Sequence, residues 1–127
     1  MSLGSELYPI MNADASINEA FASGGIYYEN LPDNFDLKDK WLLYYYRKTS
    51  QVDAMTRKSA YDLYDLEVTM IAQNTSDIVD YTELVTNYLN EIESGGIIDI
   101  RFVSDGHSFD QEKNIYTNTL TFELIYV

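Results

Sequence analysis

From Leu66 to Gln73 the chain alternates apolar and polar residues almost without a break, with Leu66, Val68, Met70 and Ala72 on one side and Glu67, Thr69 and Gln73 on the other. A period of two, closed by the turn-forming Asn74-Thr75-Ser76, is what a half-buried antiparallel strand needs. Residues 60–73 are therefore expected to form the central strand of a sheet. The same alternation returns at 115–127, where Leu120, Phe122, Leu124 and Tyr126 interleave with Thr119, Thr121 and Glu123. Between them, Ile78, Tyr81, Val85, Tyr88, Leu89 and Ile92 recur at three- and four-residue spacing and predict a helix over 76–94. Ser76 and Asp77 suit its start, and Gly95-Gly96 its end. Its apolar stripe should lie across Leu66, Val68 and Met70.

The earlier part of the chain reads less sharply. Residues 3–11 have helical spacing weakened by Gly4 and Pro9, so a short first helix is expected. Asp14 or Ser16 caps a second short helix through Ile17, Ala20 and Phe21, ended by Ser23-Gly24-Gly25. Ile26-Tyr27-Tyr28 is a short strand, and Trp41 to Lys48 a strand packed on both sides. A polar connector over 49–57 makes this strand and the central one a long hairpin with a projecting tip. Residues 97–103 are the next strand and 104–114 a charged loop. The expected architecture is α+β, a single antiparallel (possibly mixed) sheet of about five strands, with a long helix packed on one face and short N-terminal helices. At 127 residues the chain is expected to be one domain, 1–127.

A formal net charge of −13 argues against gripping nucleic acid or anionic lipid, while a negative wall past which DNA slides remains compatible with it. There is no cysteine, which excludes a disulfide framework or a cysteine-based zinc site. Residues 1–6 lack the basic and apolar regions of a signal peptide, and no later run is long enough to span a bilayer, so a soluble protein not exported by that route is expected.

Chemistry-bearing motifs are scarce. His107 is the single histidine, in Asp105-Gly106-His107-Ser108-Phe109-Asp110. It is read as a solvated loop tip, with a small acidic binding domain or minor metal-dependent enzyme acting through Asp105, His107 and Asp110 as the rival from another class. Residues 33–39 lack the glycine and the terminal glutamate of a calcium loop. Carboxylate pairs such as Asp62 with Asp65, or Glu91 with Glu93, fit solvated faces as well as acid/base work. Phosphate loops, nucleophile elbows and dinucleotide fingerprints are missing, so neither catalysis nor a cofactor is expected.

The placement of the basic residues says more. Arg47, Lys48, Arg57 and Lys58 flank the tip of the long hairpin, with Val52 and Met55 as apolar candidates for anchoring it. Gatekeeping at strand ends explains the cations equally well. The functional reading is that a locally positive hairpin docks on an acidic patch of an identical neighbour, a heterologous contact that closes a ring or runs on as a filament. Phe109, in the charged loop, is a further interface candidate. Most of the twelve tyrosines are expected in the core, with Tyr27, Tyr28 and Tyr45 as interface candidates.

The N-terminal helical segment, Gly25-Ile26-Tyr27-Tyr28 with Leu31-Pro32, the aromatic strand at 41–46, the polar hairpin, the strand at 60–73, the helix at 76–94 and the alternating final strand together resemble the tail-completion or tail-terminator proteins of long-tailed bacteriophages. That resemblance implies an α+β virion subunit, assembled in the host cytoplasm, that forms a ring, usually of six copies, at the head-proximal end of the tail. Such a ring stops tail-tube growth and offers the head-tail joining surface. The implied partners are further copies of the chain, the tail-tube protein and a head-tail connector or neck protein, with DNA only as passing cargo and no membrane. The implied working parts are hairpin 49–58 and loop 104–114. A neck or tail-tube component of similar size is the alternative within the same class.

Overall fold

The computed structural model describes residues 2–33, 35–36, 38–52 and 61–127, with the backbone alone at 50–52. Helices α1 (Leu3–Ala13) and α2 (Ala15–Ala20) lead into β1 (Gly25–Tyr28), β2 (Trp41–Val52) and β3 (Tyr61–Ala72). Helix α3 (Thr75–Leu89) then precedes the hairpin of β4 (Ile97–Asp110) and β5 (Ile115–Tyr126). The strands form one open sheet in the order β1-β2-β3-β5-β4. The residues picked out by their alternation thus occupy the middle position. The sheet is mixed, because β1 runs parallel to β2 while the other pairs are antiparallel.

The inward side of β3 carries Leu66, Val68, Met70 and Ala72, all buried, beside Leu42 and Tyr44 of β2 and Leu120, Phe122 and Leu124 of β5. Helix α3 closes this face with Ile78, Val85 and Leu89, and α1 and α2 add Leu3, Leu7, Met11 and Ile17. Pro9 lies inside α1. It leaves the helix intact because the buried stripe Leu3, Leu7 and Met11 supplies the packing that its sequence lacks in propensity. Ser2 caps α1, Asp14 caps α2 through the Ile17 N–H, and Asn74 caps α3 through the Ser76 N–H.

Three boundaries differ from the sequence reading. Strand β2 runs past Lys48 to Val52, into the supposed connector, because residues 50–52 pair with Leu63, Asp62 and Tyr61 of β3. Helix α3 ends at Leu89, five residues before Ser94. Glu91 takes a left-handed φ of 67°, its N–H donates to Ile100 O at 2.6 Å, and the Asn90 side chain accepts from Phe102 N–H at 3.1 Å. The chain leaves the helix to cover part of the outer edge of β4, and those bonds outweigh one more helical turn. The supposed charged loop at 104–114 is mostly strand, because β4 continues to Asp110 in register with β5. Asp105, Gly106, His107 and Ser108 are poor strand formers, but pairing with Leu120, Thr119, Asn118 and Thr117 overrides their propensity. Bulges between Ile97 and Asp99 and between Phe102 and Ser104 bend this edge strand.

A polar lock ties α1 to the far end of the sheet. The Glu6 carboxylate accepts from Gly96 N–H at 2.8 Å and from the Tyr126 hydroxyl. The neighbouring Gly95 has φ +56°, and a Cβ there would run into that carboxylate. The Tyr126 bond first, then the Gly96 N–H, holds Glu6 below its usual 4.5, and the same bond with desolvation pushes Tyr126 up to about 12. A lowered acid contributes stability that is present above its usual value and lost as pH falls through the lowered one. A raised phenol contributes stability that is present below its usual 10 and lost as pH rises through about 12. The stability difference between wild type and Tyr126→Phe should therefore be flat between about pH 4.5 and 10 and shrink at both ends. Urea unfolding across pH measures it, and a difference that stays constant to pH 12 would refute the lock.

Candidate functional site

Among the described residues the second face of the sheet carries no helix. Strand register places Trp41, Leu43, Tyr45 and Arg47 of β2 opposite Ile71, Thr69, Glu67 and Asp65 of β3, and carries the same rows on to Thr117, Thr119, Thr121 and Glu123 of β5. At one end the connector after β1 covers this face. Trp41, Ile71 and Ile115 form a small second core there with Leu31 and Leu43, and the Trp41 indole N–H donates to Asp36 O at 2.8 Å. Further along, the face is polar, with Thr69 and Thr119 hydroxyls 3.0 Å apart. Between these zones lies a groove of about 290 Å³ lined by Glu29, Leu43, Tyr44, Tyr45, Glu67 and Thr69. Glu29 adopts φ 67° immediately after β1, and its N–H donates to Tyr44 O at 2.8 Å. Both Glu29 and Glu67 are exposed.

The long hairpin is a pair of strands with an internal charge ladder. Arg47 lies 3.5 Å from Asp65 and Lys48 3.3 Å from Asp62, each carboxylate being on the partner strand. Register shifts between Lys48 and Ser50, where the Thr49 hydroxyl donates to Leu63 O at 3.1 Å. Asp62 and Asp65 thus act as counter-ions. Met55, Arg57 and Lys58 lie outside the described residues, as does the side chain of Val52. Phe109 is exposed at the far end of β4, its ring 4.4 Å from that of Tyr116. The two hairpin tips leave opposite ends of the sheet, since Val52 pairs with Tyr61 at one end and Asp110 with Ile115 at the other.

Asp105 and His107 do come together, His107 Nε2 being 3.1 Å from Asp105 Oδ2. Asp110 sits on the other side of the strand and instead accepts from the N–H groups of Glu112 and Lys113 in the turn. Among the described residues no group of three His, Asp or Glu side chains is placed to hold a metal ion. The pair adjoins the buried Asn118, whose amide donates to the Thr82 hydroxyl at 2.7 Å and to Asp105 at 3.3 Å, which fastens α3 to the β4–β5 hairpin. Desolvation pushes the Tyr28, Tyr44 and Tyr88 hydroxyls above their usual value, so near neutral pH they stay protonated. Among the described residues no helix is long and apolar enough to cross a membrane.

The arrangement is that of a small two-faced α+β domain, helices on one side and an open, acid-rimmed sheet on the other. No protein-family model and no curated protein matches the chain. The fold itself is shared with a chain of the virion of a native gene transfer agent (GTA) particle, at a TM-score of 0.74 and 15% identity over 98% of this chain and 94% of that one. Such coverage extends the likeness to the whole domain.

Sequence reasoning picked out the basic residues but passed over Glu29 and gave Glu67 no role beyond its polar place in the strand. Only strand pairing brings these two acids to one groove. The exposed Arg47–Asp65 pair is expected to contribute little to folding: a double-mutant cycle with Arg47→Ala and Asp65→Ala, read by urea unfolding, should give a coupling below about 1 kcal/mol. A coupling of several kcal/mol would make it a structural element.

Proposed function

We propose that the chain is a structural protein of a virion, a subunit of the ring that ends a phage-type tail and offers the surface to which the head is joined. The observation that carries this reading is the whole-domain likeness to a component of a gene transfer agent virion. One further feature supports it. The two hairpins leave opposite ends of the sheet, which gives each copy unlike surfaces for a head-to-tail contact. On this reading the partners are further copies of the chain, most simply six, with the tail-tube protein on one side of the ring and a neck protein on the other. The excess of acids would line a channel that DNA passes without sticking.

The test is solution mass and tube growth. The purified chain should sediment as a closed oligomer whose mass does not grow with concentration, and which weakens as salt is raised from physiological strength. Added to the tail-tube protein of the same particle, it should cap and shorten the polymer. Polymerisation of the chain into open tubes would instead identify a tube component, and stoichiometric bound metal after purification would favour the small metal-dependent enzyme.

A further inference from the structure

We propose that the groove between Glu29 and Glu67 on the open sheet face receives the tip of the long hairpin, residues 53–60, of a second copy of the chain. This rests on the ring reading and assigns the acceptor surface for it.

The cations available for such a contact are few. Arg47-Lys48 and Arg57-Lys58 are the two adjacent basic pairs in the sequence. The first pair is already matched to Asp65 and Asp62 of its own hairpin. Lys40 and Arg101 are likewise matched, to Asp77 and Asp99. Lys38 and Lys113 are exposed single cations, in the connector after β1 and in the β4–β5 turn, and neither has an adjacent basic residue or lies in the tip of the long hairpin. Arg57-Lys58 lies in the hairpin tip with the apolar Met55 two residues before it. The groove offers the complement. Among the described residues Glu29 and Glu67 carry no ion pair, and the walls between them are Leu43, Tyr45 and Thr69. An apolar side chain on Leu43 and Tyr45 with cations against two carboxylates combines a buried anchor with a charged rim.

Geometry decides between a copy's own groove and a neighbour's. The tip spans eight residues between Val52 and Tyr61, which pair with each other. With both ends held, the nine Cα–Cα steps from Val52 to Tyr61 carry a backbone at most about 16 Å from the end of the strands. The row containing Tyr45 and Glu67 lies six residues along β3 from Tyr61, about 20 Å away, and that of Leu43 and Thr69 eight residues, about 26 Å. The backbone of one chain's tip therefore falls short of its own groove. A contact from tip to groove uses different surfaces on the two copies, so each copy has one of each to offer and the contact repeats around a ring.

Charge reversal on each side separately, then together, tests this. Glu29→Lys with Glu67→Lys alters the groove, and Arg57→Glu with Lys58→Glu alters the tip. Both sets are expected to keep the circular dichroism spectrum and melting temperature of the wild type while self-association weakens about tenfold or more. An equimolar mixture of the two should reassemble, because every tip then finds a groove of opposite charge. Glu29→Gln with Glu67→Gln, which removes charge without adding any, is the milder groove variant and should weaken assembly in the same direction. If the wild type is a closed oligomer and the groove variants assemble as well as it does, the groove is not the acceptor, although the ring stands. Capture of tube or neck protein lost in those same variants would give the groove to a different partner and overturn the proposal equally. Failure of the two reversed sets to recover on mixing also overturns it. A wild-type chain that stays monomeric at every concentration and salt overturns both this contact and the ring.

Discussion

Everything in this molecule depends on β3 being paired along its whole length, with β2 on one side and β5 on the other. Because side chains alternate at every residue, that double ladder fixes which half of each strand faces the helices. A slip of one residue would turn Leu66, Val68 and Met70 to solvent and bring Glu67 and Thr69 under α3. The cost is large, since three buried apolar side chains are worth roughly 1.5–3 kcal/mol each. The register is therefore set by the core. The open face inherits it without needing any packing of its own, and can carry threonines, acids and a groove.

That dependence explains what could be read from the sequence. Strands β3 and β5 announce themselves through alternation that is uninterrupted for most of their length, and α3 through its stripe, because in each case one face meets the core and the other meets water. Strand β4 beyond Val103 escapes notice, since Ser104 to Ser108 lie at the exposed edge and are held by hydrogen bonds to β5 rather than by burial. The end of α3 is misplaced for a related reason. Gly95-Gly96 resembles a helix stop, but the bonds from Asn90 and Glu91 to β4 are long-range and leave no local mark. The parallel pairing of β1 is equally invisible, being set by the route of a connector that anchors the Trp41 indole.

The candidate surface divides along the same line. Cations flanking a hairpin are visible in a sequence, whereas their counter-ions are not. Arg47 meets Asp65 across a strand pair, eighteen positions away along the chain. Glu29 and Glu67 stand thirty-eight positions apart, and only pairing through Tyr45 and Tyr44 makes them walls of one groove. His107 shows the converse. Its acidic neighbours are the set that the rival reading invokes, but the pleat of β4 sends Asp105 and Asp110 to opposite faces, and what remains is a single His–Asp pair next to a buried asparagine that holds α3 to the sheet.

An excess of acids this large bears on any contact between copies. Two bodies of formal charge −13 repel each other at long range, and a cation pair on one of them does not reverse that sum. Distance separates the two effects. At physiological ionic strength charges interact over about 8 Å, so most of the repulsion between bodies is screened while groups at ion-pair distance still attract. At low salt the repulsion extends further and opposes encounter; at high salt the short-range attraction fades too. A contact that relies on a few cations against local carboxylates is thus favoured at intermediate salt, and the surrounding acids suppress every docking pose that does not bring those cations to a carboxylate. On the reading proposed for this chain, net charge would serve specificity: it would leave copies few ways to meet.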